Sequence, residues 1–282
     1  MDFKAGGVAV ITGAGSGIGR ALASACARQG MRLVLADVDA EALAETREMV
    51  SAPSQDILIL PTDVSDKDQV QALADKSFGA FDRVDLLFNN AGVALGGPLW
   101  EMTAEDWAWL VGVNLMGVAH GISAFVPRMI AQKRAAHVVN TASAAGLVSP
   151  VGAGVYTATK HAVVALSECL FQDLIIRRYP IGVSVLCPSF VRTGISSSER
   201  TRPNRLKPET EKAPDVRLSA AIERSPTSAD QVADWTLEAV NRGDFYILPH
   251  PEVLGGVSRR MRGIENRKAP AVTALDRRDK AD

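Results

Sequence analysis

Tyr156 and Lys160 stand four positions apart in the run Val155-Tyr156-Thr157-Ala158-Thr159-Lys160, with Ser143 a short stretch upstream. On a helix this spacing brings the phenol and the ammonium onto one face, where the cation favours the ionised phenol. At a separation of about 5 Å and an effective dielectric of about 20, the attraction is ~3 kcal/mol, about two pKa units off a phenol's ~10. A tyrosine tuned in this way exchanges protons with a substrate hydroxyl or carbonyl oxygen. The same pair on a solvated helical face does nothing, and a serine at a strand end commonly caps the next turn. What decides between these readings lies at the other end of the chain.

Val8-Ala9-Val10-Ile11 is a short apolar run with the character of a buried strand. It leads into Thr12-Gly13-Ala14-Gly15-Ser16-Gly17-Ile18-Gly19 and then into a helical stretch, Arg20 to Gln29, closed by Gly30. Strand, glycine turn and helix in this order let backbone N–H groups and the positive helix end face a pyrophosphate, which any Cβ would hold away. The spacing Gly-x-x-x-Gly-x-Gly departs from the commoner dinucleotide fingerprint, and a purely structural turn is the competing reading. A second strand, Arg32 to Ala36, ends at Asp37. A carboxylate there is placed to accept hydrogen bonds from ribose hydroxyls and to repel a 2′-phosphate. Neither Ser16 nor Val38 offers a positive charge to receive that phosphate, so NAD is expected rather than NADP; a solvated strand end is the plainer alternative.

Together these segments resemble the short-chain dehydrogenase/reductase family, over about Lys4 to Pro249. Gly13, Ser16, Gly17, Ile18 and Gly19 fall in the family's cofactor loop, Asp63-Val64 matches its adenine contact, and Asn90-Ala91-Gly92 matches the segment after its fourth strand. Asn114, Ser143, Tyr156 and Lys160 match its catalytic tetrad. Pro188, Val191 and Thr193 belong to the segment that holds the nicotinamide end, where Ser189 departs from the family's usual glycine. The resemblance implies reversible hydride transfer between a secondary alcohol or its ketone and the nicotinamide. In it Tyr156 handles the hydroxyl proton, Ser143 hydrogen-bonds the substrate oxygen, Lys160 tunes the tyrosine and binds the ribose, and Asn114 helps to hold a water that connects Lys160 to solvent. It also implies homodimers or homotetramers.

The substrate is less defined. Leu95, Leu147, Val148, Val151 and Phe190 follow the matched motifs and carry no charge, which suits a bulky apolar or aromatic alcohol. The stretches 112–130, 181–188 and 245–252 are similar to bacterial dehydrogenases acting on benzylic alcohols of lignin-derived aryl ethers. Arg200, Arg202 or Arg205 could instead select an acidic group, leaving 3-oxoacyl and hydroxysteroid reductases open, along with an epimerase, a dehydratase or a non-catalytic NAD-binding regulator.

The chain has 282 residues, 31 Lys+Arg against 32 Asp+Glu, and a net charge of -1, so nothing electrostatic points to nucleic acid or an anionic membrane. No apolar run is read as reaching the ~20 residues that cross a bilayer, and Met1-Asp2-Phe3-Lys4 lacks the apolar stretch of a signal peptide, so a cytoplasmic protein is expected. Cys26, Cys169 and Cys187 are scattered and read as small buried packing residues. His120, His137, His161 and His250 are equally dispersed, and no metal site is expected.

Apolar strands are expected near Val8 to Ile11, Leu33 to Ala36, Ile57 to Leu60, Leu86 to Phe88, Val138 to Asn140, Val183 to Leu186 and Tyr246 to Leu248, with helices between them. Continuous hydrophobicity suits strands covered on both faces. The fold class expected is α/β, a single-domain doubly wound (Rossmann) parallel sheet of about seven strands. Residues 1–250 form the domain, and residues 251–282 form an extension, partly helical or mobile. Helices from Ala104 to about Ile130 and from Tyr156 to about Arg178 are apolar on more than one side, consistent with a subunit contact. The segment 194–228 lacks periodicity and reads as a substrate lid with at most short helical pieces. In the basic tail, Leu254, Val257, Met261 and Ile264 can form an apolar helical stripe.

Overall fold

Seven strands form in the expected places: β1 (Val8–Thr12), β2 (Arg32–Asp37), β3 (Ile57–Pro61), β4 (Leu86–Asn89), β5 (Ala136–Thr141), β6 (Ile181–Leu186) and β7 (Tyr246–Ile247). The computed structural model describes residues 6–53, 56–207 and 216–271. The strands make one parallel sheet in the order β3-β2-β1-β4-β5-β6-β7. Successive side chains on a strand point to opposite faces, so each strand feeds two cores. Ala9, Ile11, Leu33, Leu35 and Phe88 pack with α1 (Gly17–Arg28), α2 (Ala40–Met49) and α8 (Ala229–Arg242). Val8, Val10, Val34, Leu87 and Val138 pack with α3 (Lys67–Phe81), α5 (Gly117–Ala131) and α6 (Gly154–Ile176).

The helix starts differ in how their N–H groups are satisfied. Asp66 caps α3 by accepting from the amides of Asp68 and Gln69, and Ser228 and Gln231 close a capping box at α8. Ser16 at the start of α1 makes no side-chain cap. At its other end α1 stops as the sequence suggests, with Gly30 at φ +73°.

The helix expected from Ala104 is interrupted. α4 (Ala104–Val111) runs into a π-helical turn, Gly112–Met116, and continues as α5. Over 28 residues this segment is long and apolar enough to cross a bilayer by length and composition, which corrects the expectation that no such run exists. Half of its most apolar window is buried, however, and Phe125 and Met129 pack against the sheet. It is a core helix. Cys26 and Cys187 are buried as expected, whereas Cys169 is exposed, because the helical turn that carries it faces outward.

Segment 194–228 holds 3-10 turns at Gly194–Thr201 and Asn204–Leu206 and the short helix α7 (Val216–Glu223); residues 208–215 lie outside the described residues. The tail forms α9 (Val253–Glu265), and residues 272–282 likewise lie outside the description. The stripe of Leu254, Met261 and Ile264 is exposed along α9, which buries no residue.

α5 crosses close to the end of β4, where a Cβ on Gly121 would fall 2.0 Å from Asn89 Oδ1. Asn89 donates to Asn140 Oδ1 at 2.9 Å, and Asn140 in turn donates to Ser167 Oγ at 2.9 Å. Gly121→Ala is expected to push Asn89 off this buried chain and cost about 1–3 kcal/mol. Urea denaturation checks it; an unchanged midpoint would contradict the packing described.

Candidate active site

The sheet order reverses between β1 and β4, and a crevice opens beyond their carboxyl ends. Thr12 joins the two strand ends: its hydroxyl accepts from the amides of Asn90 at 2.9 Å and Ala91 at 3.1 Å and donates to Phe88 O at 3.2 Å. Asn90 Nδ2 returns a bond to Thr12 O at 3.0 Å. The backbones approach so closely that a Cβ on Gly13, which has φ +67°, would lie 2.8 Å from Ala91 Cα, and one on Gly19 would lie 2.0 Å from Gly13 O. These glycines are therefore required by the turn itself as well as by any phosphate.

The crevice is a cleft of about 1390 Å³. Gly13, Ser16, Gly17, Ile18 and Gly19 line one part of it, with Asp37, Asp63, Val64, Asn90, Ala91 and Gly92 around them. Asp37 accepts from Gly15 N at 2.9 Å and Asp39 N at 3.1 Å, so the carboxylate braces the glycine turn from below. Asp63 accepts from the Ser65 amide at 2.9 Å and its hydroxyl at 2.7 Å. Arg20 bridges the glycine turn and α2, donating to Gly15 O and to Thr46 Oγ1 at 2.9 Å and pairing with Glu45 at 2.9 Å. A backbone cradle that no Cβ would fit, an uncapped helix start and an acid beyond it suit a dinucleotide.

Tyr156, Lys160 and Ser143 line the same cleft farther along, with Pro188, Val191 and Thr193 opposite. Ser143 caps the 3-10 turn Ala144–Gly146, accepting from Ala145 N at 3.1 Å, while its hydroxyl donates to Pro188 O at 3.3 Å and interacts with Tyr156. That turn sits against α6, where a Cβ on Gly146 would be 2.7 Å from Lys160 O. Lys160 Nζ lies 5.6 Å from the Tyr156 ring centroid and donates to Thr141 O at 2.9 Å. Asn114 stands behind the wall, fully buried, and its side chain is already engaged: Oδ1 accepts from Val93 N at 2.8 Å, and Nδ2 donates to Val93 O at 2.9 Å and Thr159 Oγ1 at 3.2 Å. The π turn is what aims it at Val93.

The electrostatics correct one expectation. Burial pushes the Tyr156 phenol above its ordinary range, and the hydrogen bond with Ser143 only partly offsets this. The Lys160 ammonium is buried too and aims at the Thr141 carbonyl, with its own pKa pushed down to about 8 by desolvation. Cys187, close to both, is pushed up to about 12 by burial and remains a thiol.

Among the residues expected to contact substrate, Leu95, Val148, Val151 and Phe190 line the cleft. Leu147 does not. It turns into the core cluster of Val118, Val163 and Val185, because the 3-10 turn after Ser143 rotates it inward. Arg202 is also withdrawn, buried against Trp109 and paired at 2.8 Å with buried Asp106, so it tethers segment 194–228 to α4. Arg200 lines the cleft mouth, while Arg205 is exposed beside it. Sequence reasoning missed Leu99 and Trp100, on a turn that leans on the start of α6, where a Cβ on Gly154 would meet Leu99 Cδ1 at 2.7 Å. Trp100 is 86 % exposed at the cleft. The available signal was the large apolar pair Leu99-Trp100 directly after Gly96-Gly97-Pro98.

A sequence model of the family described as short chain dehydrogenase matches residues 7–204. The chain belongs to that family. It is 50 % identical to a short chain dehydrogenase/reductase from Burkholderia phymatum whose crystal structure is a complex with NAD; the match covers 97 % of this chain and 99 % of that one with a TM-score of 0.94. A CLA biosynthesis dehydrogenase/reductase from Lactiplantibacillus plantarum is 34 % identical over 98 % of both chains. A C alpha-dehydrogenase from a Sphingobium species is 33 % identical over 93 % of this chain and 87 % of its own.

The lysine carries a stability cost whose sign is fixed. With its pKa lowered from 10.5 to about 8, Lys160 is protonated in both states below about pH 8, and only between about 8 and 10.5 is it deprotonated in the folded protein while still protonated in the unfolded one, so stability rises with pH across that window and is lowest below it. Lys160→Met is expected to abolish that rise, worth about 3 kcal/mol, and to make the protein more stable than wild type at neutral pH. Urea titrations at neutral and alkaline pH check both.

Proposed function

We propose that this chain is an NAD-dependent dehydrogenase/reductase interconverting a secondary alcohol and its ketone, with a bulky apolar or aromatic substrate. The observation that carries the reading is that the Ser143–Tyr156–Lys160 group and the glycine cradle occupy one continuous cleft. Membership of the family and the NAD complex of the Burkholderia relative support the cofactor and the reaction class. NAD, when bound, accepts a hydride from the carbinol carbon and returns it in the reverse direction.

The chain's own residues then have separable tasks. Tyr156 takes the hydroxyl proton in oxidation and gives it back in reduction. Ser143 bonds both Tyr156 and the substrate oxygen, so the two oxygens meet at one point. Lys160 keeps a positive charge 5.6 Å from the Tyr156 ring centroid, which favours the phenolate that accepts the substrate proton. Asn114 is a positioning residue: by holding both backbone groups of Val93 and the hydroxyl of Thr159, it fixes the wall beside Gly92 and Lys160. Asp37 accepts the adenosine ribose hydroxyls, and the engagement of Arg20 with Glu45 leaves that cation unavailable to a 2′-phosphate.

The walls favour an apolar substrate. Leu95, Leu99, Trp100, Val148, Val151 and Phe190 line the cleft, and the Sphingobium relative is named a C alpha-dehydrogenase. We also propose a homodimer or homotetramer, supported by exposed Trp107 and Met116 on the α4–α5 segment and Ile175 and Ile176 at the end of α6. Residues 1–250 form the catalytic unit and the remainder an extension.

Tyr156→Phe keeps the ring and removes the hydroxyl, so turnover of aryl alcohols, followed by reduced-nicotinamide absorbance, is expected to fall at least ~100-fold with NAD affinity unchanged; retained activity refutes the assignment. Combining Asp37→Ser with Val38→Arg removes the repelling acid and adds a phosphate partner. The ratio of kcat/KM for NADP to that for NAD should then rise by about tenfold or more.

A further inference from the structure

His250 lies just beyond β7, buried, and neither the glycine cradle nor the tyrosine group uses it. Its two ring nitrogens reach two different segments. The Ser189 amide donates to Nδ1 at 3.1 Å, which makes Nδ1 the lone-pair nitrogen and puts the ring proton on Nε2, facing Thr227 Oγ1 at 3.0 Å. Ser189 belongs to the 188–193 segment that lines the cleft opposite Tyr156, and Thr227 closes the lid just before α8. The two segments are stitched together independently. Arg192 N donates to Thr227 O at 3.1 Å, the Ser225 hydroxyl donates to Phe190 O at 2.6 Å, and Arg192 Nη1 donates to Ser225 O at 3.2 Å.

We propose that His250 is a positioning residue for the nicotinamide end of the cleft: by bonding the last residues before the lid and the last residues within it, its neutral imidazole sets where the 188–193 backbone stands. Of the contacts described, the His250–Ser189 bond is the one that ties this segment to the chain after β7. An amide left without its acceptor in a buried site costs the full desolvation of that group, so the segment moves rather than tolerate the loss. The proposal rests on the reading of 188–193 as the wall that holds the nicotinamide.

Two substitutions separate the bonds. His250→Asn places an amide oxygen near the Nδ1 position and keeps the acceptor for Ser189; His250→Gln reaches toward Thr227 but sets a methylene against the Ser189 amide. Affinities for NAD and for ADP-ribose, which lacks the nicotinamide, are measured by calorimetry on the full chain, alongside kcat and KM. The Gln variant is expected to bind NAD about tenfold more weakly with ADP-ribose affinity unchanged, and the Asn variant, which gives up only the bond to Thr227, about threefold more weakly. Thr227→Val, nearly isosteric, tests the link from its other end and is expected to weaken NAD alone by about threefold. Equal losses in the Asn and Gln variants, parallel losses for both ligands, or no loss in any variant would overturn the proposal. Wild-type protein that binds NAD no better than ADP-ribose would instead overturn the reading of the 188–193 wall, and with it this proposal.

Discussion

One hydroxyl ties together the strand ends from which the site is built. Where the sheet reverses its order, β1 and β4 must diverge to open a crevice, and divergence leaves backbone amides without strand partners. Thr12 takes two of them and returns one bond to Phe88 O, so the glycine turn and the Asn90–Gly92 turn are held at near-contact distance. Everything that a dinucleotide meets on the near side, including the open start of α1, is referenced to that join. A side chain at Gly13 or Gly19 would break it before any ligand arrived.

The far side is assembled at a thermodynamic cost. Tyr156 and Lys160 are both taken out of water, which raises one pKa and lowers the other, and the protein retains an amine whose protonation opposes folding at neutral pH. Such sites persist because the surrounding fold over-determines them. Here that means a cap at Ser143, a turn packed on α6 through Gly146, and an asparagine whose side chain is spent on Val93.

Much of this was legible in the sequence, for physical reasons. Parallel strands covered on both faces read as continuous apolar runs, so the positions of all seven were visible. The Tyr156–Lys160 spacing and the Thr12–Gly19 turn are local, and local chemistry survives the step into three dimensions. What escaped notice was non-local. The π turn at Asn114 leaves no trace in hydrophobic periodicity, Leu147 was turned inward by a 3-10 geometry that its neighbours do not announce, and the pairing of Arg202 with Asp106 joins residues far apart in the chain. The direction of the Tyr156 shift was misjudged because a pairwise Coulomb estimate omits desolvation, which here is the larger effect.

The lid enters and leaves the domain at nearly the same point, since Arg192 and Ser228 form a bridge and the intervening chain returns to its own root. An insertion or deletion between those two residues therefore leaves the anchor itself in place. The same closure holds the end of the 188–193 wall beside the start of α8, so the cleft keeps that edge whatever length of chain runs between them.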